Sequence, residues 1–98
     1  MFLSNVEIEV IKFLQKQGSV KFGSKKLAES SDYPRRYFEQ ALQKMVYHGV
    51  LTSKTGPRGG YKLNQGKSAN DVIMAIREKG VESEIDYLLM CVLKEIKL

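Results

Sequence analysis

The segment Thr55-Gly56-Pro57-Arg58-Gly59-Gly60 packs three glycines and a proline into six residues, and no regular helix or strand runs through such a stretch. On either side stand Val50-Leu51-Thr52-Ser53-Lys54 and Tyr61-Lys62-Leu63, rich in the β-branched and aromatic residues that suit strands. The pattern predicts an antiparallel hairpin with the glycine-rich segment at its tip. Apart from a short extended stretch at Val20-Lys21-Phe22, the remaining periodic segments all follow a helical repeat.

Ser4-Asn5-Val6-Glu7 is a capping box, with Leu3 and Ile8 at the staple positions around it. Val6, Val10, Phe13, Leu14 and Gln17 follow one helical face, and Gly18 stops that helix. Ser24 is expected to cap a short helix from Lys25 to about Ser30, with Leu27 and Ala28 inward. Ser31-Asp32-Tyr33 breaks it, and Pro34 suits the first turn of a third helix over about 34–48. There Phe38, Ala41, Leu42 and Met45 face inward, Arg35, Arg36, Glu39, Gln40 and Lys44 face out, and Gly49 ends the helix. After the hairpin, Ser68-Ala69-Asn70-Asp71 is a second capping box opening a helix that buries Val72, Ile73 and Ile76 and is expected to close at Gly80. A last helix over about 82–97 carries Ile85, Leu89, Val92 and Ile96 as one seam. The order implies a mainly α fold with a small β-hairpin wing, a winged helix-turn-helix over 1–80 with C-terminal helices, the last over 81–98.

At 98 residues the chain is long enough for one modest domain. No apolar run approaches the ~18 residues of a membrane span. The N-terminus has early acids and lacks the basic and apolar regions of a signal peptide, so no membrane partner is expected. Cys91 is the single cysteine and can form no internal disulfide, which suits a reducing cytoplasm. The net charge is +5, and its excess is concentrated between residues 21 and 62, where nine Lys and Arg stand against Glu29, Asp32 and Glu39. A field so localised favours a polyanion, most simply double-stranded DNA beside the nucleoid, and the plain alternative is a solvated basic face.

Catalysis finds no support. Gly66-Lys67-Ser68 stands at a helix start, but a phosphate-binding loop needs four residues between its first glycine and the GKS, and five separate Gly60 from Gly66. His48 has no carboxylate or serine beside it in sequence and reads as a surface residue at a helix C-terminus. One histidine and one cysteine make no metal cluster. No cofactor and no enzyme are expected.

Tyr37-Phe38-Glu39-Gln40 followed by Leu42, Gly49-Val50-Leu51 and Gly56-Pro57-Arg58-Gly59-Gly60-Tyr61-Lys62-Leu63 resembles the Rrf2 family of bacterial winged-helix regulators. The family pattern runs roughly Y-L-E-Q, L-x-x-x-G-L-V and R-G-x-x-G-G-Y-x-L. Asp71-Val72-Ile73-Met74-Ala75-Ile76 resembles its later D-I-I-x-A-I helix, and the likeness covers about residues 4–80. It implies a homodimeric transcriptional regulator, often a repressor, with the third helix in the major groove and wing 54–62 in the minor groove. Many relatives hold an iron–sulfur cluster on three cysteines beyond the position of Gly80, and this chain, with Cys91 alone, is expected to lack one. The family's usual arginine before the wing glycine is Thr55 here. The last helix is also shorter than the family's dimerisation helix and tail.

Within that reading, Arg35, Arg36, Glu39, Gln40 and Lys44 are candidate contacts of the recognition helix. Arginine can bridge guanine O6 and N7, glutamine can bridge adenine N6 and N7, and Glu39 can accept from cytosine N4. Tyr37 either joins them or packs under the wing. Lys54, Thr55, Arg58, Gly59 and Lys62 are the wing candidates, with Arg58 at the tip and Tyr61 as the anchor of the returning strand. Ser24, Lys25 and Lys26, at a helix start, are candidates for phosphate contact. Ile85, Leu88, Leu89, Val92 and Ile96 are the candidate dimer interface, since the last helix carries more apolar surface than one small domain buries. The competing function is a winged-helix module whose basic face docks an acidic protein.

Overall fold

A computed structural model describes residues 3–78 and 84–98, with side chains described for 3–78 and 89–98. The elements follow in the order α1 (Asn5–Gln17), α2 (Ser24–Glu29), α3 (Arg36–Tyr47), β1 (Leu51–Lys54), β2 (Gly60–Leu63), α4 (Ala69–Arg77) and α5 (Glu84–Lys94). The chain is thus mainly helical with one antiparallel hairpin, as the sequence predicts. No helix among the described residues is long and apolar enough to cross a membrane.

Both capping boxes close. Ser4 Oγ accepts from the Glu7 amide at 3.2 Å while Glu7 Oε1 accepts from the Ser4 amide at 2.8 Å. At α4, Asp71 Oδ2 accepts from the Ser68 amide at 2.8 Å, and Ser68 Oγ accepts from the Asp71 amide at 3.4 Å. The core is built around α3, whose Phe38, Leu42 and Met45 are wholly buried. Leu27 of α2, Val10 and Leu14 of α1, Val72 and Ile73 of α4, and Leu51 of β1 complete it. α3 touches α1, α2, β1 and α4, so its inner face is covered on every side and its outer face is left to solvent.

In the hairpin Leu51 faces Leu63 and Lys54 faces Gly60. The extended residues after α1 join it: the Phe22 and Tyr61 amides each donate to the other's carbonyl, at 2.9 and 2.7 Å. Phe22 lies edge-on to Phe13, ring centres 4.9 Å apart, and reaches Tyr61 at 5.9 Å, so the returning strand is anchored to α1 through two aromatic contacts.

Four boundaries differ from expectation. α2 begins at Ser24 with Gly23 as its N-cap, because the Ser24 hydroxyl is taken by Arg35 rather than by its own helix. α3 begins at Arg36, after a tight turn in which Tyr37 and Phe38 donate to the carbonyls of Pro34 and Arg35. α4 stops at Arg77, short of Gly80, which lies outside the described residues. Glu78 caps it in the left-handed conformation, φ 55°, and Lys44 Nζ donates to the exposed Ile76 carbonyl at 3.2 Å. α5 stops at Lys94, because Ile96 offers its carbonyl to the Ala69 amide at 2.9 Å and Leu98 donates to the Lys67 carbonyl at 3.0 Å. Those two bonds form a short antiparallel bridge that a continued helix would forgo. The expected start of that helix at about 82 lies outside the described residues.

One ion pair closes the domain across seventy residues. Arg77 Nε meets Glu7 Oε2 at 2.7 Å and Nη2 meets Oε1 at 2.8 Å, with Glu7 only 4% exposed. Burial by itself raises the Glu7 pKa, but the Arg77 guanidinium and the Ser4 donors outweigh it and hold the carboxyl below its ordinary 4.5. The carboxylate therefore contributes stability in full above that value and loses it as the pH falls through the depressed one. Arg77→Ala strands a buried carboxylate and is expected to cost about 3 kcal/mol at neutral pH, with the deficit shrinking toward pH 3. Urea unfolding midpoints across that range measure both; an unchanged midpoint at pH 7 contradicts this account of the pair.

Candidate nucleic-acid interface

The apolar repeat that buries α3 leaves a stripe of exposed residues on its opposite side: Arg36, Glu39, Gln40, Gln43 and Tyr47, the last 84% exposed. Arg36 lies over the Tyr37 ring at 5.4 Å, and Tyr37 in turn lies 5.8 Å from the Tyr33 ring. Tyr37 thus stands at the entry of α3 against Arg36 and Tyr33, and is itself 47% exposed. Arg35 is clamped from both directions: its Nε donates to Ser24 Oγ at 2.7 Å and stands 3.5 Å from Glu39 Oε1. An ion pair so exposed adds only about 0–1 kcal/mol, but it ties Glu39 to its own helix.

Two expected contacts are engaged elsewhere. Ser24 is 7% exposed and spends its hydroxyl on Arg35. Lys44 leans onto the end of α4 through the Ile76 carbonyl and does not share the outward stripe. Lys25 and Lys26 are exposed on the first turn of α2. Gln43 and Tyr47 belong to the stripe although sequence reasoning passed over them; the spacing 36, 40, 43, 47 is the signal that marks them.

The wing tip is a tight turn in which the Gly59 amide donates to the Gly56 carbonyl at 2.9 Å, leaving Pro57 and Arg58 at its apex. Lys21 reaches across and donates its ammonium to the Arg58 carbonyl. This crossing needs glycine at position 60: φ is +143°, and a Cβ there would stand 2.6 Å from the Phe22 carbonyl oxygen. Lys54, Thr55, Arg58 and Lys62 are all exposed, with Gly59 half-buried beneath them. Between the wing and α3 lies an open cleft of about 540 Å³ lined by Ser24, Arg35, Gln43, Lys54, Thr55 and Gly59 among others. Of the outward stripe of α3, Gln43 lines this cleft, facing Lys54 and Thr55 of the wing across it.

Among the described side chains of α5, Val92 is 60% exposed, Leu89 is half-buried and Leu93 turns fully inward, and just beyond the helix Ile96 is half-buried against the domain. The side chains of Ile85 and Leu88 lie outside the described residues.

A three-helix core with a two-stranded wing beside its third helix defines a winged helix-turn-helix. The Rrf2 family, described as iron-dependent transcriptional regulators, matches residues 4–95, and the chain belongs to that family. Three solved structures share the fold. CymR (YrzC), the global cysteine regulator of B. subtilis, is 21% identical with a TM-score of 0.69, over 99% of this chain and 89% of that one. The oxidised form of Staphylococcus aureus CymR is 22% identical with a TM-score of 0.70, over 99% and 92%. IscR of T. potens is 20% identical with a TM-score of 0.72, over 99% and 82%. No curated protein gives a significant sequence match.

The family description speaks of iron, and the described side chains offer no group to hold it. Among the described residues no three His, Cys, Asp or Glu gather as a metal would require. His48 has one acidic neighbour, Glu78 at 3.8 Å, and Cys91 is a lone exposed thiol on α5.

Gly60→Ala is expected to cost about 2 kcal/mol or more by pushing Phe22 off the returning strand. Amide exchange should quicken at Phe22 and Tyr61 before it does in α1. Equal protection in the variant and the parent would show that the close approach at position 60 is dispensable.

Proposed function

We propose that this chain is a sequence-specific DNA-binding transcriptional regulator of the cytoplasm that acts as a homodimer. The observation that carries the reading is where the charge lies: the exposed stripe of α3 and the exposed wing both belong to the segment that holds the whole basic excess, and Gln43 of the stripe meets the wing across one cleft. α3 enters the major groove with Arg36, Gln40 and Glu39 toward the base edges, and Arg35 clamped beside them. Lys54, Thr55, Arg58, Gly59 and Lys62 follow the backbone into the adjacent minor groove, with Arg58 leading. Lys25 and Lys26 meet phosphates and set the docking register without reading sequence. Ser24 and Lys44 act from behind, the first by holding Arg35 and the second by fixing α3 to α4.

Dimer symmetry supplies two half-sites about one helical turn apart, with α5 as the seam through Val92, Leu89, Ile96, Ile85 and Leu88. A dimer seated on such an operator excludes polymerase, so we assign repression.

The test is a titration of mixed duplex DNA at two salt concentrations. Affinity should fall steeply with salt, and a subset of sequences should be retained at the higher one. Lys26→Ala should weaken all duplexes alike and lower the salt slope by about one, whereas Arg36→Ala should cost ~1–3 kcal/mol on preferred sites and relax their selection. Absence of binding at low salt would refute the reading. Val92→Arg should convert the dimer to monomer in sedimentation equilibrium without changing the helical circular dichroism; a parent that sediments as a monomer removes the α5 seam.

A further inference from the structure

We infer that each operator half-site presents α3 with a guanine followed, within about three base-pair steps, by two A·T pairs, read by Arg36, Gln40 and Gln43. This rests on the DNA-binding reading and specifies what that surface selects. The polar side chains of α3 and its first turn divide into two groups by what they already hold. Arg35 is bonded to Ser24 and paired with Glu39, and Lys44 is bonded to the Ile76 carbonyl. Glu39, drawn to Arg35, must leave that pair before it can accept from a cytosine. Gln40 and Gln43 are exposed, and among the described residues neither amide has a hydrogen-bond partner. Gln17 and Asn64, by contrast, use their amides internally, Gln17 Nε2 donating to the Val20 carbonyl at 3.1 Å and Asn64 Nδ2 to the Gly49 carbonyl at 2.7 Å.

Spacing and chemistry then point the same way. Positions 36, 40 and 43 are i, i+4 and i+7, so they lie along one line spanning about 10 Å of helix axis. That matches roughly three steps of B-form DNA at about 3.4 Å each. A glutamine amide carries a donor and an acceptor together, which is the complement of adenine N6 and N7 in the major groove, while a guanidinium carries donors only and suits guanine O6 and N7. Being neutral, the two glutamines add nothing to phosphate attraction, so their contribution is selective. Gln43 also lines the cleft toward the wing, so the third step of the site lies where the duplex passes from α3 to the hairpin.

The experiment selects bound duplexes from a random library with the full chain, then replaces each enriched adenine by 7-deazaadenine, which lacks the N7 acceptor. Wild-type protein should enrich a guanine and two A·T pairs at this spacing. Each replacement should weaken binding roughly fivefold or more. Gln40→Ala should become insensitive to one replacement and Gln43→Ala to the other, each variant staying sensitive to the replacement its remaining glutamine reads. Both residues are exposed, so thermal melting should be unchanged. Sites without the A·T pairs, or variants as sensitive as wild type at both positions, overturn this inference and leave DNA binding standing. If wild type retains no duplex at low salt, DNA binding fails and the inference goes with it.

Discussion

Phe38, Leu42 and Met45 are buried without remainder, and the placement of every other element follows from where they sit. They occupy one side of a twelve-residue helix, so the opposite side cannot be covered by the same domain. α1, α2 and α4 all pack on that helix, and β1 follows it after a short turn. The outward stripe is therefore a by-product of core packing. Its composition can change without touching stability, which suits a surface whose target differs from one regulator to another.

The wing has no such core of its own, since two short strands are marginal in water. It is held by what lies next to it: the Phe22–Tyr61 backbone pair, the aromatic contacts behind it, and the Lys21 ammonium on the Arg58 carbonyl. The chain between α1 and α2 thus sets the pose of a hairpin nearly forty residues later. The Glu7–Arg77 pair plays the matching part on the other side, tying α1 to the end of α4. A wing held at its base by Phe22 and Lys21 loses less freedom when it meets a ligand.

Much of this was legible in the residues. Both capping boxes, the inward face of α3 and the glycine-rich turn obey local rules, and local rules suffice where the backbone satisfies itself. Ser24 and Lys44 were read as surface contacts because their bonds to Arg35 and to the Ile76 carbonyl join residues far apart in sequence. The end of α5 was placed too late for the same reason: helical periodicity continues to Ile96, but the carbonyl there is claimed by the Ala69 amide. Gln43 and Tyr47 share the visible repeat but carry no charge, so the charge pattern does not single them out. Membership in the Rrf2 family was readable from the Gly-Gly-Tyr-x-Leu wing behind the Tyr-x-Glu-Gln helix, and the family match runs further, to residue 95.

The bridge between residues 96–98 and 67–69 has a mechanical meaning. Just upstream of residue 67, Asn64 is stitched to the end of α3: its amide donates to the Val50 carbonyl at 3.0 Å, its side chain donates to the Gly49 carbonyl at 2.7 Å, and Thr52 Oγ1 donates back to it at 2.6 Å. Only Gln65 and Gly66 separate that stitch from the bridge. The segment after α5 and the root of the wing are thus the two ends of one short tether. A torque applied to α5 arrives at the hinge between α3 and β1 with little slack to absorb it.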